Sequence, residues 1–182
     1  FKVDVATNSI NVSKPDILDP KSNGSGGVYA MSGDGSTLVG YDHYSDNRGR
    51  ANPYTWKEGV GKTILERLNK GPIGIPYGVN YDGSVVVGYC SDHENNGDKR
   101  ATVWINGVIK SLGLLPPQEI KKSRTHKCYA HSVAYTTNFD GSVTVGTCYD
   151  TEQKFYTAFV HSPEMGMESL GASQDGKFGS AA

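Results

Sequence analysis

The sequence predicts an all-β protein of four-stranded antiparallel repeats, a β-propeller or an arc of one. Three observations predict it. The tripeptide Asp-Gly-Ser recurs at Asp34-Gly35-Ser36, Asp82-Gly83-Ser84 and Asp140-Gly141-Ser142. Each copy sits in the same frame, with a Tyr five residues before the Asp (Tyr29, Tyr77, Tyr135) and a Val-Gly pair after it (Val39-Gly40, Val87-Gly88, Val145-Gly146). The copies lie 48 and then 58 residues apart. A ten-residue insertion near 116–127 accounts for the difference, which leaves a period close to that of one four-stranded blade.

The elements follow in chain order. Residues 1–18 read as the last two strands of a preceding repeat, Phe1 to Val5 and Ile10 onward, joined by an Ala6-Thr7-Asn8-Ser9 turn. Full repeats are expected over 27–68, 75–115 and 129–171, and 172–182 matches the start of a connection to a further repeat. The second repeat is the most legible. Ile75 to Tyr81 predicts a first strand, and Asp82-Gly83 a tight turn, because hairpins need positive φ there. Ser84 to Tyr89 predicts a second strand whose Val85-Val86-Val87 run suits burial on both faces. A polar stretch over Ser91 to Lys99 precedes a third strand, Arg100 to Ile105. Asn106-Gly107 is another hairpin turn, and Val108 to Leu114 a fourth strand. The first repeat matches in spacing: Tyr41 to Trp56 and Tyr89 to Trp104 are each sixteen residues long. In the third, Thr147 to His161 is one residue shorter, with His161 where the others carry Trp. Three repeats cannot close a ring. Further blades or another chain are expected to complete it, with a composite blade made from the two ends as the rival arrangement. The chain begins at Phe1 rather than Met and reads as a processed or excised piece.

Bulk composition narrows the function classes. Eighteen basic residues balance nineteen acidic ones, for a net charge of -1, so neither nucleic acid nor an anionic membrane is the expected partner. Gly at 23 and Tyr at 11 suit strands and turns. Gly59-Val60-Gly61-Lys62-Thr63 lacks the earlier Gly of a phosphate-binding loop, because Trp56 stands there. Three cysteines exclude a dense disulfide scaffold. Cys90 and Cys148 occupy equivalent positions, and Cys128 lies in the connection between them. Cys128 is a candidate disulfide partner for either, the alternative being small buried thiols.

The segment Gly78-Val79-Asn80-Tyr81-Asp82-Gly83-Ser84-Val85-Val86-Val87-Gly88-Tyr89, with Arg100-Ala101-Thr102-Val103-Trp104 and Lys110-Ser111-Leu112-Gly113-Leu114-Leu115-Pro116, resembles the HAF-type extracellular repeat of bacteria. Ala158-Phe159-Val160 and Glu164-Met165-Gly166-Met167-Glu168-Ser169-Leu170-Gly171 extend the resemblance to the third repeat. That repeat departs from the pattern at His161 and at Thr136-Thr137, where Gly-Val is usual. The resemblance implies a secreted or surface-exposed bacterial protein, sometimes an autotransporter passenger, with no established activity and no catalytic residues to carry over.

The meander assigns each connection to an end of the repeats. Asp-Gly-Ser turns mark one end. The long variable segments share the other, and binding groups commonly sit on such loops over a rigid scaffold. Candidate binding residues there are Asp42, His43, Asp46, Arg48, Asp92, His93 and Glu94. A basic tip in the insertion adds Lys122, Arg124, His126 and Lys127, suited to an acidic protein or a sulfated glycan. The competing reading is solvated loop polarity. No metal-ligand spacing, cofactor motif or catalytic constellation is expected. Tyr29, Tyr77 and Tyr135 read as packing or pore-lining residues of the innermost strands, with a stacking platform for sugars as the lesser reading, and Trp56 and Trp104 as packing between repeats. The functional expectation is a non-enzymatic module that binds host protein or glycan through the long-loop end. An assembly subunit docking through exposed blades is the alternative, and a propeller hydrolase or lyase stands below both.

Overall fold

The computed structural model describes residues 2–4, 9–11, 22–44, 49–95, 97–115, 131–150 and 155–171. They form an all-β structure of three four-stranded antiparallel sheets and one two-stranded hairpin. The hairpin pairs β1 (Lys2–Asp4) with β2 (Ser9–Asn11). The first sheet is β3 (Ser22–Met31), β4 (Thr37–Tyr44), β5 (Ala51–Lys57) and β6 (Gly61–Ile64). The second is β7 (Gly74–Val79), β8 (Val85–Asp92), β9 (Asp98–Ile105) and β10 (Val108–Gly113). The third is β11 (Ser132–Thr137), β12 (Thr144–Asp150), β13 (Phe155–Ser162) and β14 (Gly166–Ser169). Within each sheet, strands neighbour one another in chain order, as a meander requires.

The repeated Tyr and the repeated Gly prove to be two halves of one device. In each first strand the pairing register slips by one residue at the Tyr: between Val28 and Ala30, Pro76 and Gly78, and Ala134 and Thr136. The Tyr is the extra residue of a β-bulge. The residue before it pairs with Gly40, Gly88 or Gly146 on the second strand. A Cβ on that glycine would land on the carbonyl oxygen of Gly27, Ile75 or Val133. The Gly of each Val-Gly pair is therefore required by the bulge beside it.

The two hairpin types differ. At Asn106-Gly107 both residues have positive φ (51° and 83°), and Ile105 pairs directly with Val108, as expected for a two-residue turn. The Asp-Gly-Ser turns are longer than the tight turn expected from sequence. Only the Gly has positive φ, 74° at Gly83, and the loop closes where Asn80 N donates to Val85 O at 2.9 Å. Asn80 Oδ1 accepts from Val85 N (2.9 Å), and Asp82 Oδ1 accepts from Ser84 N (2.9 Å) and Ser84 Oγ (2.5 Å). Asn138 and Asp140 repeat this pattern; in the first turn Ser32 Oγ accepts from Thr37 N at 2.9 Å. These side-chain bonds shorten the strands relative to the sequence reading, so β7 ends at Val79 rather than Tyr81.

The sheets pack face to face. Between the first and second, Val39 and Leu65 meet Val86, Cys90 and Trp104. Between the second and third, Val85, Val87, Ala101 and Val103 meet Ala134, Cys148, Phe159 and Met167. The middle sheet is thus covered on both faces, and every residue of β8 is buried. Trp104 is fully buried and donates its Nε1–H to Glu66 O at 2.8 Å, tying the middle sheet to the chain leaving the first. Trp56 is only half-buried. Ser132 Oγ, also fully buried, accepts from Ala101 N (2.8 Å) and donates to Gly113 O (2.6 Å), linking third sheet to second.

Candidate functional site

The bulges decide where the tyrosines go. The first strands β3, β7 and β11 lie next to one another, and each presents its bulged ring toward its neighbours. Tyr29 and Tyr77 meet edge to face at 5.1 Å between centroids, and Tyr77 and Tyr135 lie 5.7 Å apart. Second-strand tyrosines extend this row toward the long-loop end. Tyr41 stacks on Tyr29 at 5.5 Å, and Tyr89 lies 6.0 Å from Tyr77. In the third sheet Thr147 takes that position, with its hydroxyl 3.4 Å from the Tyr135 hydroxyl. Tyr29 is 50% exposed and Tyr135 44%, so the row keeps open ring surface at both ends.

Charge gathers where the row approaches the loops. Lys99 Nζ lies 4.7 Å above the Tyr89 ring, within cation–π range. His43 meets Tyr41 edge to face at 5.1 Å, with its Nδ1 3.3 Å from Arg50 O. His131 Nδ1 accepts from Lys99 N at 3.2 Å, which places its remaining ring proton on Nε2. Burial, then the Lys99 and Arg100 charges, hold the His131 pKa below its usual 6.5, with Asp98 opposing. Burial pushes the Tyr89 phenol up to about 12, helped by the neighbouring phenols, and raises Tyr77 and Tyr29 for the same first reason. At neutral pH the Tyr29, Tyr77 and Tyr89 hydroxyls are therefore uncharged.

The sequence-predicted loop residues separate. Asp42 and Asp92 are not loop groups. Both are buried within strands, because β4 runs on to Tyr44 and β8 to Asp92. Asp42 pairs with Lys62 beside Tyr54, whose phenol is pushed up to about 12 by burial and then by the Asp42 charge. Asp92 Oδ1 accepts from Asn69 Nδ2 (2.7 Å) and Glu94 N (3.1 Å), shaping the 3-10 turn His93–Asn95. His93 and Glu94 are exposed on that turn. Asp46, Arg48, Lys122, Arg124, His126 and Lys127 lie outside the described residues, as does Cys128. Cys90 is a free, fully buried thiol whose pKa burial pushes up to about 11, and Cys148 is equally buried.

Sequence reasoning missed Tyr41, Tyr89, Lys99 and His131. A signal existed for the first two, since Gly40-Tyr41 and Gly88-Tyr89 follow Val in the same frame. Lys99 and His131 come together only through the packing of the second and third sheets. Among the described residues no cluster of three or more His, Cys, Asp or Glu side chains is arranged to hold a metal. A cleft of about 340 Å³ opens at the turn end, lined by Lys57, Thr63, Asp82, Ser84 and Asn106 among others. Its Asp82 carboxylate is already committed to the turn.

No family model matches the chain, and no curated protein matches it significantly. Among solved structures it is similar to a Mycobacterium tuberculosis puromycin-hydrolysing peptidase, at 18% identity and a TM-score of 0.44. The match covers 77% of this chain and 20% of that one, so the chain spans a fifth of that protein's length. So distant a likeness carries no argument about activity.

Proposed function

We propose that this chain is a non-enzymatic β-propeller module, or an arc of one, that binds a glycan at the long-loop end of its tyrosine row. The arc reading is supported by the meander order, the face-to-face packing and the side-by-side first strands. The ligand reading rests on one observation: five phenols in mutual contact across adjacent sheets, with open ring surface and a lysine and two imidazoles at their loop-side margin. Tyrosine offers an apolar face for the C–H face of a sugar and a hydroxyl for its polar rim. The exposed His93 and Glu94 belong to the same functional end, and the sequence adds the basic tip at 121–127 as a candidate. The resemblance to HAF-type repeats adds a secreted or cell-surface location in a bacterium and leaves room for a protein-borne glycan.

Calorimetric titration with neutral and sulfated oligosaccharides tests this. Tyr29→Ala and Tyr135→Ala are expected each to weaken binding about tenfold, the loss of one good aromatic contact. Affinity unchanged in both variants sinks the tyrosine reading. A sulfated ligand lost only when Lys122 and Arg124 are replaced moves the site to the insertion.

A further inference from the structure

We infer that the outer face of the third sheet, centred on Val145 and Val160, is the docking face for a fourth four-stranded repeat of the same Asp-Gly-Ser pattern, the next in chain order. The inference deepens the arc reading and is separate from the glycan: either can fail alone.

Three positions carry it, each with its counterparts occupied in the preceding sheets. The first is the sheet face itself. Val39 in the first sheet and Val87 and Val103 in the second are buried to 0%, 0% and 6% exposure by the repeat that follows. Val145 and Val160 stand at the same register and are only half-buried. The second is the seat for the next turn. A Cβ on Gly83 would strike the Thr37 side chain, and one on Gly141 would strike Val85 at 2.5 Å, so each turn glycine sits on the third residue after the previous Asp. Val143 is that residue in the third sheet. The third is a ring line across the turns. Tyr81 lies against Gly33 and stacks on Phe139 at 4.3 Å, and its N–H donates to Phe139 O at 3.1 Å. Phe139 ends the line 70% exposed.

The occupant follows from the two joints already formed. In each, the covering surface is the glycine-bearing face of the repeat next in the chain: Val86, Gly88 and Trp104 over the first sheet, Gly146 and Phe159 over the second. A second copy of this chain offers a less open surface. Among the described residues its one glycine-bearing face not used in these two joints is that of the first sheet, where Leu38 and Trp56, the counterparts of Val86 and Trp104, are half-buried but Tyr54 is 0% and Asp42 3% exposed. One position differs between the joints. A Cβ on Gly78 would lie 2.7 Å from Tyr135 O, whereas the third sheet carries Thr136 there. The fourth repeat therefore seats on Val143, Val145, Val160 and Phe139, and the inner strands stand further apart.

The test begins with the chain as it is. Val103→Glu is expected to unfold it, while Val160→Glu leaves the urea midpoint unchanged. An equal loss in both means that the face is already covered from within the chain, and overturns the proposal. The chain is then extended after Gly171 by a copy of residues 69–115. Amide exchange in β12 and β13 is expected to slow about tenfold or more. Val160→Glu should abolish that slowing, and Thr136→Gly should deepen it. No slowing overturns the proposal. So does a concentration-dependent dimer of the unextended chain that protects the same strands, because the occupant is then a second copy.

Discussion

The two ends of the repeats are built on opposite terms. At the turn end the same bonds occur in every sheet, a side chain closing the loop and an Asp gripping Ser, and in the second and third sheets the turn glycine docks on the previous repeat. At the loop end the backbone bonds from Ser91 N to Ile73 O and from Tyr149 N to His131 O repeat, but the side-chain contacts do not. The first sheet buries an Asp42–Lys62 pair, the second an Asp98–Arg100 pair at 3.9 Å, and the two joints there use Pro72 O and His131 for equivalent contacts. Repetition marks the end where repeats hold one another. Divergence marks the end where each sheet solves its own problem, and there the tyrosine row meets charge.

If that contrast is right, the largest losses of stability belong to shared positions. Trp104→Ala removes a fully buried indole between the first two sheets and strips Glu66 O of its donor. It is expected to cost about 3–5 kcal/mol in urea unfolding. At the loop end, Glu94→Ala should stay within about 0.5 kcal/mol. A large loss at Glu94 would break the comparison. Gly88→Ala comes next. Its methyl group is forced onto Ile75 O, and the bulge at Tyr77 must open. The expected cost is about 1–3 kcal/mol, and a neutral result would show that the bulge is dispensable.

This asymmetry also explains what the sequence could reveal. The strands, their order and the Val85-Val86-Val87 run buried on both faces follow from local pattern, because alternation, turn residues and period are all written within one repeat. The bulge was half-visible: Tyr and Val-Gly recurred together, but nothing local says that they oppose one another across a ladder. Asp42 and Asp92 were misplaced for the converse reason. A carboxylate near a turn reads as exposed, and partners such as Lys62 and Asn69, twenty and twenty-three residues away, help make its burial tolerable. Lys99 and His131 were invisible, because packing between two sheets rather than spacing brings them together.

A smaller effect sharpens the turn side. Asn80→Ala leaves the buried Val85 N–H without its acceptor. The expected cost is about 1–2 kcal/mol, read from the urea midpoint. Asn138→Ala removes the equivalent bond, which is exposed, and should cost less. Equal losses would mean that the turn, not its burial, sets the cost.

The smallest effect is one of pH, and it separates the two ends by window, not by sign. His131 has a folded pKa below 6.5, so the fold favours its neutral ring, which accepts from Lys99 N. That contribution is present above the unfolded value and is lost as pH falls through the lower folded one. The carboxyls of Asp34, Asp82 and Asp140 are held below their usual 3.8 by the Ser hydroxyls and amides around them. Their contribution is likewise present above 3.8 and is lost only as pH falls further. Acid should therefore loosen the loop end of the second joint while the turns stay intact. The measurement is the protection of the Lys99 amide against that of Ser84, each corrected for intrinsic exchange, between pH 7 and the carboxylate range. His161 adds a loss of the same sign elsewhere in that joint, through burial and then the Lys110 charge, so the assignment needs a variant. In His131→Gln an amide oxygen replaces the imidazole acceptor, and the Lys99 amide should keep its protection down to the pH at which the turns fail. Loss of Ser84 protection before that of Lys99 would reverse the order of the two ends.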